Sequence, residues 1–214
     1  MLVKGLDTRE HTVAELSRIV GYIFQNPDHQ IFERTVEDEI AFGPRNLGLS
    51  EEHVRKRVNE VIELLGLDEY RRENPVFVGK GVRQKIATAS ILAMRPEVII
   101  CDEPTTGMDW LSSAAMMKLL DKLNKEGRTV IIITHDMRVV AEHSKRTICL
   151  SGGKVLLDLP TREIFMHEKR LKEAFIEPPQ IIKLAKRVGH PSIPLTIKDE
   201  LELANIIEKL KVSI

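Results

Sequence analysis

Short apolar runs alternate along this chain with longer stretches of helical periodicity. The runs at 20–24, 98–102 and 130–134 are rich in Val and Ile, a composition typical of strands. Helical spacing of apolar residues predicts helices over 37–42, 51–65, 83–94, 111–126 and 137–143. Strands that alternate with helices predict an α/β fold built on a parallel sheet.

The ends of these elements carry ordinary start and stop signals. Ser50 is a good N-cap for the helix over 51–65, and Gly66 is a good C-terminal stop. Further along, the runs 147–150 and 155–158 flank Ser-Gly-Gly-Lys and predict a β-hairpin.

The character of the chain changes near residue 160. Short helical pieces broken by prolines follow, and an amphipathic helix is predicted over 199–210. The sequence therefore predicts a main domain over 1–160, with a helical subdomain over about 36–94, and a small helical extension over 161–214.

Composition narrows the possible functions. The 32 Lys and Arg residues balance the 32 Asp and Glu residues, so no net field attracts nucleic acid. Cys101 and Cys149 each lie in an apolar run, which favours buried, reduced thiols over a disulfide. Without a membrane-length apolar stretch, we expect a cytoplasmic protein that reaches a membrane through a partner.

Polar residues stand at the ends of two predicted strands. Asp102 and Glu103 end one strand, and His135 follows another. The carboxyl ends of parallel strands are where such sheets hold ligands, so these side chains are expected at one site. Asp102 would bind Mg²⁺ carried by a nucleotide, Glu103 would activate a water, and His135 would contact the terminal phosphate. A simple strand-end turn explains each residue equally well when it is taken alone.

Gln25 ends the first strand and opens the segment QNPDHQIF. Its amide offers one acceptor and two donors, which suits either a metal-bound water or a mobile hinge. The Asn-Pro-Asp that follows is typical of a turn, so Gln25 taken alone does not indicate a nucleotide site.

Together these segments resemble the ATP-binding subunit of ABC transporters, specifically the energy-coupling-factor type that imports cobalt, nickel or vitamins. FQNPDHQIF resembles the Q-loop with Gln25, VIICDEP the Walker B motif, TTGMD the D-loop with Asp109, and THD the H-loop with His135. PPQIIKLAKRVG resembles the C-terminal extension of that group, which the resemblance makes a dimerisation region.

The resemblance implies a fold, cofactors and partners. The fold is a P-loop NTPase-like nucleotide-binding domain, and the cofactors are ATP and Mg²⁺, the metal being held by Asp102 and Gln25. Expected partners are a second ATP-binding subunit, a transmembrane coupling subunit and a substrate-binding membrane component, with the chain peripheral on the inner face of the membrane. No nucleic acid is expected as a partner.

This sequence departs from two motifs of that family. No G-x-x-x-x-G-K-[ST] phosphate loop occurs in the 214 residues, so we expect a domain truncated at its N-terminal, P-loop side. The resemblance places that strand beside 130–134, whose apolar edge should then be unpaired. The signature LSGGQ is replaced by VGKGV, in which Gly79, Lys80 and Gly81 would approach the partner's nucleotide. The Lys80 side chain is expected to block that approach.

The first interpretation is therefore an ABC importer ATPase subunit whose 214 residues do not hydrolyse ATP alone. Two alternatives remain open. One is a non-catalytic structural partner in the transporter, and the other is a remnant without function. The transported substrate is not encoded in these motifs.

Overall fold

The computed structural model describes residues 1–187 together with residues 204 and 208. It divides into two compact units, Met1–Ile133 and Thr134–Ile214, each of which is described by itself. The helix predicted over 199–210 lies outside the described residues, apart from those two positions.

The first unit begins with a small hairpin and continues as alternating strands and helices. Its elements are β1 (Leu2–Val3), β2 (Leu6–Asp7), α1 (Val13–Leu16), β3 (Val20–Ile23), α2 (Val36–Asn46), α3 (Glu51–Leu65), α4 (Lys80–Met94), β4 (Val98–Asp102), α5 (Trp110–Lys125) and β5 (Thr129–Ile133). Short 3₁₀ turns lie at Pro27–His29, Asp68–Tyr70 and Pro75–Phe77.

A parallel sheet in the order β3-β4-β5 forms the centre of this unit. Val20 pairs with Val98, and Val98 with Thr129, so the three strands run in step. Ile23, Ile99 and Cys101 are fully buried, whereas their neighbours along the strands are less so. Burial raises the pKa of the Cys101 thiol to about 12. The predicted parallel α/β fold is confirmed.

The helix signals in the sequence act as expected. Ser50 Oγ accepts the N–H of His53, and Gly66 ends α3 in the left-handed conformation at φ 63°. The apolar stripe of α3 is buried, with Val54, Val58 and Ile62 almost fully removed from solvent. Burial of this stripe, rather than helix propensity alone, is what makes α3 stable.

Glycine allows α2, α4 and the sheet to approach one another closely. A Cβ on Gly43 of α2 would lie 2.6 Å from Met94 Cγ, and one on Gly21 of β3 would lie 2.3 Å from Ile91 Cγ2. Both distances are shorter than real contacts. The Met94 side chain is flexible and can move aside, so packing requires glycine at Gly21 rather than at Gly43.

We expect Gly21→Ala to lower the free energy of unfolding by about 1–3 kcal/mol, the usual cost of overpacking. Ile91 is branched and Pro96 is a ring, so neither can swing aside from the new methyl group. Gly81→Ala is the matched control, because nothing lies within 4 Å of that Cβ position in α4. The control should be neutral or slightly stabilising. Urea unfolding midpoints compare the two variants, and equal midpoints would contradict the packing argument.

The strand β5 has β4 as a neighbour on one side only, among the described residues. Ile131 and Ile133 on this strand are 45% and 48% exposed. An apolar edge at this strand was expected from the sequence, and the structure confirms it for the residues described.

The second unit consists of a hairpin and short helices. Its elements are α6 (Met137–His143), β6 (Arg146–Ser151), β7 (Lys154–Pro160), α7 (Thr161–Ile164), α8 (Glu168–Glu173) and α9 (Gln180–Arg187). β6 and β7 pair antiparallel, as predicted. A small core around Phe165, Leu171 and Ile182 holds them together. No helix among the described residues of either unit is long and apolar enough to cross a membrane.

Candidate nucleotide site and partner cavity

Gln25, Asp102 and Glu103 leave neighbouring strands at one edge of the sheet. Ile23 at the end of β3 pairs with Cys101 near the end of β4, so the residues that follow emerge side by side. The structure thus brings together three of the residues that the sequence singled out.

The carboxylate of Asp102 has one hydrogen-bonded oxygen. The Tyr22 hydroxyl donates to Asp102 Oδ2 across 3.1 Å. Burial, and then Asp102, raises the pKa of Tyr22, so its hydroxyl keeps its proton and remains a donor. No described residue bonds the other oxygen of Asp102.

Glu103 turns the chain out of the sheet. Its backbone is left-handed, at φ 46°, a conformation uncommon for residues other than glycine. Its N–H donates to Ile133 O across 2.8 Å, which ties the end of β4 to the end of β5. The strained backbone is therefore held in place at the position where the sequence predicts a water-activating acid.

Gln25 is exposed. The backbone of Phe24, the residue before it, is fixed by two hydrogen bonds. Phe24 N–H donates to Gln30 Oε1 at 3.2 Å, and Phe24 O accepts from Gln84 Nε2 at 3.5 Å. The segment after β3 thus begins at a fixed point.

The donor set at the strand ends fits Mg²⁺ that arrives with a nucleotide. The described residues contain no cluster of three or more His, Cys, Asp or Glu side chains that would hold a metal alone. Mg²⁺ is commonly bound by one or two protein oxygens together with phosphates and waters, and Asp102 with Gln25 supplies such a set.

The segment that resembles the signature begins α4. Gly79 is the N-cap and makes no side-chain capping bond, and Lys80 is the first helical residue. The Lys80 stem lies over Gly107, with Cδ 3.1 Å and Cε 3.2 Å from the position a Cβ would take there. Gly107 also has φ +77°, so its backbone favours glycine, and a Cβ there would press on the flexible Lys80 stem. The Lys80 side chain therefore packs against the loop at Gly107 in the same chain.

Asp109 caps the helix that follows. Its Oδ1 accepts the N–H of Ser112 at 2.9 Å, and its Oδ2 accepts the Ser112 hydroxyl at 2.7 Å. These bonds lower the pKa of Asp109. Trp110 and Leu111, directly after it, are 78% and 71% exposed.

His135 belongs to the second unit. It lines an open cavity of about 580 Å³ with Asp136, Arg138 and Phe175 among its walls. Asp136 caps α6 by accepting the N–H of Arg138 at 2.9 Å.

A second cavity, in the first unit, was not predicted. It has a volume of about 340 Å³ and is lined by residues of α1, α2, α4 and the segment after β3, including Gln30, Phe32, Glu39, Phe42 and Met94. The rings of Phe32 and Phe42 meet edge to face at 4.7 Å.

Glu39 is the buried carboxylate of this cavity, with 2% exposure. Its Oε2 accepts the N–H groups of Phe32 at 3.0 Å and of Glu33 at 2.9 Å. Burial raises the pKa of Glu39. None of the described residues bonds its other oxygen. Glu37 and Asp38 precede Glu39 in the same helical turn, so no signal in the sequence separated it from its acidic neighbours.

Solved structures with the same fold were found by comparison. Protein cbiO1 of Clostridium perfringens, described as part of the ABC transporter complex cbiONQ, is 30% identical with a TM-score of 0.64, over 82% of this chain and 68% of that one. A dimeric ATP-binding cassette bound to ADP and Pi is 29% identical with a TM-score of 0.65, over 75% and 72%. The chain therefore has the fold of ABC-type ATPases.

Sequence comparison identifies the family. A family model described as ABC transporter matches residues 1–106. An ABC transporter ATP-binding protein of Pyrococcus furiosus is 45% identical over 88% of this chain and 72% of its own length. The chain belongs to the family of ABC transporter ATP-binding proteins.

Other relatives differ in length and name. One from Caldanaerobacter subterraneus is 47% identical, and this chain spans 33% of its length. The relative from Methanocaldococcus jannaschii is 39% identical over 86% of this chain and 67% of its own length, and is named energy-coupling factor transporter ATP-binding protein EcfA.

Proposed function

We propose that this chain is the ATP-binding component of an energy-coupling-factor type importer, peripheral on the inner face of the membrane. The observation that carries the proposal is the meeting of Gln25, Asp102 and Glu103 at one sheet edge in a member of this family. The name of the relative from M. jannaschii supports the energy-coupling-factor type, and the description of the C. perfringens structure supports a place in a transporter complex.

Each residue has a proposed role. Asp102 and Gln25 hold the Mg²⁺ that screens the phosphate charge, and Glu103 orients or deprotonates the attacking water. His135 contacts the terminal phosphate. Asp109, together with the exposed Trp110, faces a second ATP-binding subunit, and residues 161–214 form a separate dimerisation region after a main domain over 1–160.

We further propose that the 214 residues alone do not turn over ATP. They contain no phosphate-loop motif, and Gly79, Lys80 and Gly81 stand where the family has its signature. The placement of Lys80 over Gly107 favours a second candidate, a non-catalytic subunit, because the lysine stem fills space beside the D-loop.

The cavity at Glu39 is the proposed docking site for the transmembrane coupling subunit. A carboxylate and two aromatic rings that line one cavity favour a cationic side chain, held by charge and by the ring faces. The occupant we propose is a helix of that subunit that inserts a Lys or Arg.

Glu39→Gln should weaken docking about 30-fold, which corresponds to about 2 kcal/mol for a charge pair that loses one partner. The glutamine oxygen can still accept the bonds from Phe32 and Glu33, so the change removes charge and leaves the loop in place. The measurement is capture of a multispanning membrane protein from solubilised source membranes, followed by its affinity for the purified chain.

Glu52→Gln is the control, because Glu52 is an exposed acid in the first turn of α3. It should bind as the parent chain does. Capture of no membrane subunit would contradict the proposed function, whereas equal affinity of the Glu39 variant would contradict the docking site alone.

A further inference from the structure

Among the described hydrogen bonds, one joins a side chain of β3 to a side chain of β4 near the candidate site. It runs from Tyr22 to Asp102. Tyr22 pairs with Ile100 in the parallel register, and Asp102 is two residues further on. Residues two apart share a face of the sheet, so the phenol reaches the carboxylate diagonally.

The Tyr22 ring is itself anchored. It meets the ring of Phe24 edge to face, with centroids 4.9 Å apart. The backbone of Phe24 is held in turn by Gln30 and by Gln84, which is 1% exposed. The Tyr22 hydroxyl is thus held in place, and a donor held in place gives the Asp102 carboxylate one preferred orientation.

A carboxylate that binds a metal through one oxygen performs best when its other oxygen is hydrogen-bonded. Such outer partners fix the ligand's orientation, and their loss typically reduces metal affinity about 10–100-fold. At Asp102, Tyr22 takes Oδ2, which leaves Oδ1 for a cation.

We propose that Tyr22 is a positioning residue for the divalent cation, which it serves by holding the Asp102 carboxylate while touching neither the metal nor the nucleotide. This inference rests on the proposed function, in which Asp102 binds Mg²⁺.

The experiment uses Mn²⁺ alone as the probe. Without the phosphates of a nucleotide Mn²⁺ should bind only weakly, but its paramagnetic broadening of nearby signals reports even weak binding. Mn²⁺ is titrated into a dilute solution of the ¹⁵N-labelled chain, and the broadening of amide signals at residues 100–103 gives an apparent Kd. Tyr22→Phe keeps the ring on Phe24 and removes only the hydroxyl. It should raise this Kd about tenfold or more. Tyr70→Phe, which removes the chain's other tyrosine hydroxyl, should leave the Kd unchanged.

Two further variants separate the possible failures. Asp102→Asn should abolish the broadening, and unchanged broadening would overturn the metal assignment itself. If Asp102→Asn abolishes it while Tyr22→Phe stays within twofold of the parent, this inference fails and the metal assignment stands. Phe24→Leu keeps the hydroxyl but loosens its support, so it should give an intermediate Kd. Phe24→Leu also provides the test if Tyr22→Phe disturbs the fold. In that case, a Kd of the Phe24→Leu variant equal to that of the parent chain would overturn the inference.

Discussion

The 214-residue chain should bind Mg-ATP at least about a thousandfold more weakly than a complete ATP-binding cassette. Each charge-assisted bond to phosphate contributes about 1.5–3 kcal/mol, so the loss of three exceeds the roughly 4 kcal/mol that corresponds to a thousandfold change in Kd. A phosphate loop supplies several such bonds through its backbone N–H groups and its lysine. Asp102, Glu103 and Gln25 are acids and an amide, which bind the metal or water rather than the phosphate.

Equilibrium dialysis with labelled ATP and Mg²⁺ measures this directly. No saturation is expected up to millimolar ATP, and phosphate release should equal that of a boiled sample. Asp102→Asn is the control and should change nothing. Micromolar binding that disappears in this variant would show that the chain forms a working phosphate site.

Self-association through β5 is the second large effect that we expect. An edge strand with exposed backbone groups and apolar side chains is a template for another strand. Ile131 and Ile133 make this edge apolar, and no charged residue interrupts Thr129–Ile133. We expect concentration-dependent aggregation at about 100 µM.

Ile131→Lys should slow aggregation about tenfold or more, since a charge on an edge strand opposes pairing. Val13→Lys is the matched control. Val13 is 84% exposed but lies on α1. Light scattering and sedimentation velocity report the outcome. A parent chain that stays monodisperse at this concentration would show that this edge is harmless.

Most of the backbone could be predicted because its signals are local. The bounds of α3, β4 and α6 match those predicted, since each is set by a cap, a proline or an apolar run of fixed length. The prediction of α2 was too short. Gly43 and Pro44 normally end a helix, but Pro44 lies in the last turn of a helix that runs on to Asn46.

The opening of the chain shows a signal that was overlooked. Thr12 and Glu15 form a capping box at the start of α1, with the bonds running in both directions. The T-x-x-E spacing is visible in the sequence. The β1-β2 hairpin has a weaker signal, because each strand has only two residues.

The side chains of the candidate site were only partly predictable. Strand ends place Asp102, Glu103 and Gln25 by register alone. The bond from Tyr22 joins residues 80 positions apart, and the contact of Lys80 with Gly107 depends on how α4 meets a loop. Such contacts follow from packing rather than from any local pattern. The roles of all the candidate site residues, His135 and Asp109 included, and the boundary near residue 160 remain predictions.

The contact between Lys80 and Gly107 also constrains how this sequence can diverge. Position 107 is held to glycine by its left-handed backbone, and a Cβ there would also press on the flexible lysine stem. Position 80 carries no backbone restriction, since it is an ordinary first residue of a helix. Substitutions in descendants of this gene should therefore accumulate at codon 80 long before codon 107. A lineage that recovers a small residue at 80 would reopen the space beside the loop without any change at 107.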